Sequence, residues 1–111
     1  MTDMLGVGAQ REAGTDVVRV VGAFDLASAA AWNATIDALL ANDPSRICID
    51  VGDVTFVDSY GLRLWAMLRR HAADRGITVT LRRVGPSVRR LLELACLTDY
   101  LVADDSDDVA V

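Results

Sequence analysis

Lysine is absent from this sequence: its eleven basic residues are all arginines, set against sixteen acidic residues in a chain of 111. The formal net charge is -5, and five aspartates fall within residues 99–108. The rest of the chain is close to neutral and carries no basic stripe. Because nucleic-acid binding depends on neutralising backbone phosphates, we expect no direct contact with nucleic acid.

Cysteine and histidine are also scarce. Cys48 and Cys96 lie far apart, form no Cys-x-x-Cys pair and sit in apolar runs, so both are expected to be buried thiols. The single histidine, His71, lies twelve residues beyond Ser59 on the same predicted helix, or roughly 18 Å along its axis. These two residues cannot form a Ser–His pair within one chain, and no residue pattern suggests a metal site.

Long hydrophobic runs and nucleotide-binding loops are missing as well. No window reaches the roughly 18 apolar residues of a membrane span, and residues 1–10 lack the features of a signal peptide, which favours a cytoplasmic location. Gly6-Val7-Gly8 is only a fragment of a phosphate-binding loop. Asp50, Asp53 and Asp58 could gather at one sheet end as paired carboxylates, although aspartates collect there for capping reasons too.

An alternation of strands and helices is present instead. Short β-branched runs predict strands, and apolar residues at helical spacing predict helices between them. The strands are expected at residues 17–21, 46–51 and 77–82, with a possible edge strand at 5–10 and a last one at 100–102; the helices at 28–42, 62–74 and 88–96. Gly76 and Ser87 are the expected helix stop and helix cap. This order predicts an α/β fold with parallel neighbouring strands and no second domain.

Residues 47–61 form the most informative segment. A hydrophobic strand feeds a short loop, at residues 52–57, which delivers Asp58-Ser59 to the start of a helix. Unpaired backbone N–H groups and the positive end of the helix dipole would tolerate a phosphate on Ser59. The added charge beside Asp58 would repel a partner that accepts the neutral hydroxyl. The alternative is that Asp58 and Ser59 simply cap the helix, and the two roles are compatible.

Four segments, in order, resemble the STAS domain family, and specifically its single-domain bacterial anti-sigma factor antagonists. Gly22-Ala23-Phe24-Asp25 resembles a signature after the second strand, and residues 49–57 resemble the central strand and its loop. Asp58-Ser59-Tyr60-Gly61-Leu62 resembles the Asp-Ser-Ser/Thr-Gly-Leu motif. Residues 84–92 with Leu97 resemble the third helix and the segment leading into it.

The resemblance implies a four- or five-stranded mixed sheet with helices packed mainly on one face. It implies one STAS domain over residues 1–111, with a folded core at about 5–103 and a flexible acidic tail at 104–111. It also implies a protein without enzymatic activity, which binds an anti-sigma factor serine kinase when unphosphorylated and so releases the sigma factor. The kinase would phosphorylate Ser59 and a phosphatase would reset it; ATP and Mg²⁺ belong to the kinase, so no cofactor is assigned to this chain.

The expected partner-binding residues cluster around that serine: Asp25, Asp58, Ser59, Tyr60, Gly61, Leu62 and Arg63. Tyr60 departs from the family pattern, which has Ser or Thr there, and is read as a core or interface aromatic. Leu62 and Ala66 are either partly exposed contacts or covered by another helix, whereas Trp32 and Trp65 are expected in the core. Two rival functions remain: a STAS module of another complex, such as the partner of a lipid-transport ATPase, without phospho-switching; and a small enzyme or ligand binder with a deep polar pocket.

Overall fold

The computed structural model describes residues 6–12 and 14–95, and the elements alternate as predicted. They are β1 (Gly6–Glu12), β2 (Thr15–Phe24), a 3-10 turn (Leu26–Ser28), α1 (Ala29–Leu40), β3 (Arg46–Val57), α2 (Ser59–Asp74), β4 (Thr78–Arg82) and α3 (Pro86–Leu94). Within that part of the chain no helix is long and apolar enough to cross a membrane. The strand expected at residues 100–102, Cys96 and the acidic tail lie outside the described residues.

The four strands form one mixed sheet in the order β1-β2-β3-β4. The edge strand β1 runs antiparallel to β2, whereas β2, β3 and β4 are parallel to one another. The expected mixed α/β sheet is thereby confirmed. Because parallel strands end at the same edge, the segments that follow Phe24, Val57 and Arg82 all leave the sheet on one side.

The core lies between one face of the sheet and the helices. Alternate residues of the three parallel strands point into it, as the twofold side-chain period of a strand requires: Val18, Val20, Ile47, Ile49, Val79 and Leu81. Phe24 is fully buried between the two tryptophans, with ring centroids 5.1 Å from each, edge-on to Trp32 and stacked on Trp65. The core positions predicted for Trp32 and Trp65 are confirmed.

Two local predictions were wrong. The segment at residues 52–57 is not a loop, because its β-branched residues stay paired with β2 and extend β3 to Val57. Ser87 does not cap α3. The helix begins at Pro86, two residues before the predicted start at Val88, and Gly85 is its N-cap. Proline suits the first helical turn, where its missing N–H has no partner to lose. The stop at Gly76 is confirmed, with a φ of 73°.

The second face of the sheet, which we call the charged face, carries Arg19, Asp50 and Arg82 side by side in register. Asp50 is only 5% exposed and is paired with Arg82 at 3.3 Å and with Arg83 at 2.9 Å. A groove of about 610 Å³ opens on this face, and Ser59 is not among its lining residues. Asp50 is therefore neutralised within the sheet, as a buried carboxylate must be.

Stability should respond to acid through Asp53, which also lies on the charged face. Hydrogen bonds from Arg19, and secondarily from Arg83, lower the pKa of Asp53 below its ordinary value of 3.8. A lowered folded-state pKa contributes stability above the unfolded value, and that contribution is lost as the pH falls through the folded pKa. Urea unfolding of the wild type and Asp53→Asn should show a stability gap that narrows only below about pH 4. A gap that stays constant into stronger acid would contradict this prediction.

Candidate functional site

Three residues at the end of β2 and just beyond it, Gly22, Phe24 and Asp25, have identifiable structural roles. Gly22 has a φ of 92°, a conformation that favours glycine, beside a shift in the β2–β3 register. Phe24 fills the core between the tryptophans. Asp25 caps the following turn: its carboxylate accepts from the N–H of Ala27 at 3.0 Å, and its own N–H donates to the Ser28 hydroxyl at 2.9 Å.

The start of α2 is attached to the end of β2 through Phe24. The N–H of Asp58 donates to the Phe24 carbonyl, and the Asp58 carboxylate accepts from the N–H of Gly61 at 2.8 Å, so Asp58 is the N-cap of the helix. Gly61 lies so close to Phe24 that an added Cβ would be 2.4 Å from its carbonyl oxygen. The cap predicted from the sequence is confirmed, and it is Asp58, not Ser59, that supplies it.

Ser59 is the first residue of α2 and is exposed. Since Asp58 already accepts from Gly61, the Ser59 hydroxyl is not needed to cap the helix. The N–H groups of a first helical turn and the helix dipole favour negative charge at this position. Arg63 follows four residues later and is also exposed, which is the spacing and order in which an acidic group pairs with a basic one on a helix.

Exposed apolar side chains lie on the segments that meet at the start of α2. Leu26 is 66% exposed, Phe56 55% and Tyr60 38%. All three lie next to the junction at Phe24: Leu26 two residues beyond it, Phe56 paired with Ala23, and Tyr60 in the first turn of α2. We call Leu26, Phe56, Ser59 and Tyr60 the Ser59 patch. Exposed apolar side chains on adjoining segments, with polar groups among them, are typical of a protein-binding site.

Sequence reasoning named Tyr60 but missed Leu26 and Phe56. Leu26 precedes the predicted helix at residues 28–42, and no sequence pattern assigns it an exposed position; the structure places it in the 3-10 turn before α1. Phe56 belonged to the supposed loop, so its direction was undefined. Strand alternation would have placed it outward, because its neighbour Val57 is 3% exposed and points into the core.

The other expected partner-binding residues differ in their exposure to solvent. Arg63 is exposed, and Asp25 and Asp58 are half-buried caps at the rim of the patch. Gly61 and Leu62 are buried, so they hold the first turn of α2 against the core from beneath. Ala66 is half-buried.

The candidate carboxylates do not converge on one site. Asp50 and Asp53 are paired with arginines on the charged face, whereas Asp58 caps α2. His71 lies in the last turn of α2, at the opposite end from Ser59. Over residues 6–12 and 14–95 no group of three or more His, Cys, Asp or Glu side chains is arranged to hold a metal ion. Cys48 is buried as a thiol, as predicted.

The fold and this geometry define a small α/β domain whose distinctive site is a surface patch at a helix N-terminus. The profile of the family described as "Mlab, STAS domain" matches residues 7–103. The chain therefore belongs to the STAS domain family, as the sequence motifs indicated.

Known proteins of this fold include regulators of sigma factors. An anti-sigma factor antagonist from Mycobacterium paratuberculosis is 29% identical, with a TM-score of 0.74, and the match covers 86% of this chain and 80% of that one. The unphosphorylated anti-sigma factor antagonist SpoIIAA, from Bacillus, has a TM-score of 0.75 at 20% identity, over 86% and 84% of the two chains, which shows the shared fold. A STAS-domain containing protein of Pseudomonas aeruginosa is 26% identical over 78 residues, 70% of this chain and 76% of that protein.

Proposed function

We propose that this protein is an anti-sigma factor antagonist that binds an anti-sigma factor serine kinase and is switched off by phosphorylation at Ser59. The observation that carries the proposal is the position of Ser59: it is exposed at the first position of α2, and Asp58 caps the helix in its place. Exposed apolar side chains, Leu26, Phe56 and Tyr60, lie on the segments that adjoin it. The protein acts by binding, and the ATP and Mg²⁺ of the phosphorylation belong to the kinase. The mycobacterial relative described as an anti-sigma factor antagonist supports this assignment.

Electrostatics explains how one phosphate would act as the switch. It would add about -1.5 to -2 charges to the proposed docking surface, next to the Asp58 carboxylate. The partner would then have to desolvate that charge, which disfavours binding strongly. Within the chain itself, the helix N-terminus and Arg63 would stabilise the phosphate, so the fold need not change.

Tyr60 sets the shape of the partner that we propose. The family pattern has a small hydroxyl residue after the acceptor serine, whereas this chain presents a ring that is 38% exposed. The cognate kinase must therefore offer an apolar recess beside the entry to its phosphate-transfer site. We propose that Tyr60 contributes contact area with a polar tip, a role that suits tyrosine at interfaces.

Intact-mass spectrometry with site mapping, on the protein purified from its native cells, tests the switch. We expect a species heavier by one phosphate, localised to Ser59 and absent from a Ser59→Ala variant. The unmodified protein should then capture the anti-sigma factor serine kinase, and the phosphorylated form should not. Ser87→Ala is the matched control, because Ser87 is likewise an exposed serine in the first turn of a helix, α3, and its loss should leave the phosphorylated species in place.

Absence of phosphorylation in every growth condition would contradict the proposed switch but not the proposed binding role. Capture of a lipid-transport ATPase by the unmodified chain, without phosphorylation, would identify it as a constitutive STAS subunit. In that case Tyr60 would be the first residue to examine, since replacement by serine would restore the family pattern.

A further inference from the structure

The approach of β3 to Ser59 depends on two irregularities in its pairing with β2. From Arg19 to Phe24 β2 advances five residues, whereas from Asp50 to Val57 β3 advances seven, so β3 carries two extra residues. The first shift lies between the pairs Arg19–Asp50 and Val21–Asp53, and the second between Gly22–Val54 and Ala23–Phe56. Bulges of this kind bend a strand and re-aim the residues that follow it.

Loss of one of the two bulges would change the positions of the residues at the end of β3 and at the start of α2. Side chains alternate along a strand, so a slip of one residue turns every later side chain to the other face. Val57 would leave the core, Phe56 would turn inward, and Asp58 would lose its bond to the Phe24 carbonyl. The position of the Ser59 patch therefore depends on contacts that stabilise the first bulge.

Arg83 bridges that bulge. Its Nε donates to Asp50 at 2.9 Å and its Nη2 to Asp53 at 3.3 Å, and these two aspartates flank the extra residue. The guanidinium lies directly over Gly52, where an added Cβ would be 2.3 Å from the Arg83 Cζ. Arg83 itself adopts a φ of 57°, a conformation that non-glycine residues rarely take without stabilising contacts.

We propose that Arg83 is a positioning residue for the Ser59 patch: it locks the first bulge of β3 by bridging Asp50 and Asp53 over Gly52. The charged face thereby influences the start of α2, although Ser59 is not among the residues that line the groove on that face. Arg19 supports the lock from β2, since it also bonds Asp53. The consequence for switching rests on the proposed function of Ser59, whereas the geometric role of Arg83 does not.

Native-state hydrogen exchange measured by NMR on the isolated chain tests the lock. In Arg83→Ala we expect exchange of the Asp58 amide, which is bonded to the Phe24 carbonyl, to accelerate about tenfold or more. Amides of β3 before the bulge, at residues 47–50, should keep their protection. Gly52→Ala should reproduce the effect while retaining every charge, because its methyl group displaces the guanidinium, and Gly52 has no positive φ that alanine would strain.

The double variant separates positioning from general destabilisation. Once Arg83 is alanine, Gly52→Ala should have no further effect on exchange at Asp58, since the atoms it would displace are gone. Arg75→Ala is the control, because it removes an arginine bonded to Leu40 and Asp43 away from the bulge, and it should leave Asp58 unchanged. Unchanged exchange at Asp58 in Arg83→Ala, or equal acceleration at all amides, would overturn the proposal. Neither result involves phosphate or kinase, so failure of the lock is distinct from failure of the switch.

Discussion

Replacing Gly61 by alanine should destabilise the protein by about 2–3 kcal/mol, although alanine is the better helix former. Helix propensity alone predicts the opposite, a gain of about 1 kcal/mol inside α2. The reason for the expected sign is the contact with β2: the new methyl group would be 2.4 Å from the Phe24 carbonyl oxygen and 2.8 Å from the Phe24 ring. The first turn of the helix must move away, which strains the bond from the Gly61 N–H to Asp58.

Urea unfolding of the two proteins measures this free-energy difference directly. Gly8→Ala is the matched control, because a Cβ there meets no atom within 4 Å, and its effect should stay within about 0.5 kcal/mol. If Gly61→Ala were as stable as the wild type or more stable, α2 would not be seated on Phe24 as described, and the patch would lose its support.

The position of Ser59 was predictable because it depends on local chemistry. A β-branched strand, an aspartate with a capping side chain and a helical stripe follow one another within a short stretch, and each is recognisable without knowledge of the rest of the fold. The parallel pairing of β2, β3 and β4 followed from the alternation of strands and helices, whereas the mixed character of the sheet was expected only from the family resemblance. The motif residues Gly22, Phe24 and Gly61 were recognisable only as a family pattern, because their roles lie in contacts between segments distant in sequence.

The course of β3 beyond Asp50 could not be predicted in the same way. A bulge is a relation between two strands, so residues 52–57 looked like a loop when read alone. The arginines that hold this region come from β2 and from the end of β4, at separations of 34 residues for Arg19 and 33 for Arg83. The outward direction of Phe56 depends on that pairing, which is why Phe56 was not predicted as part of the patch.

The contacts around Phe24 distinguish the motif residues that stabilise the fold from Ser59, the residue proposed to carry the function. Phe24 seats Gly61, Asp58 bonds the Phe24 carbonyl and caps α2, and Asp25 caps the turn beside them. Ser59 has no part in this framework, and its side chain is exposed where the framework ends. A modification of Ser59 can therefore change the surface without cost to the fold, which is the property that a phosphorylation switch requires.

If the proposed kinase docks with Phe56 as an anchor, replacing Phe56 by serine should weaken binding of the unmodified chain about thirtyfold, because the few anchor residues of an interface contribute about 2 kcal/mol or more each. Phe56 is 55% exposed in the isolated chain, so stability should change by only about 0.5 kcal/mol. Met67→Ser is the matched control: Met67 is also apolar and 45% exposed, but it lies eight residues beyond Ser59 on α2.

Calorimetric titration with the kinase identified by capture would measure both variants, and urea unfolding would check their stability. Equal loss of affinity in Met67→Ser would mean that the kinase contacts the length of α2 and not the Ser59 patch. Full affinity in Phe56→Ser would remove Phe56 from the interface and leave recognition to Leu26, Ser59 and Tyr60. The predicted pattern, a loss at Phe56 alone, would make the end of β3 a docking element as well as the strand that delivers the switch serine. Affinity and phosphorylation would then depend on the same bulged strand, because the pairing that turns Phe56 outward also fixes Asp58 at the start of α2.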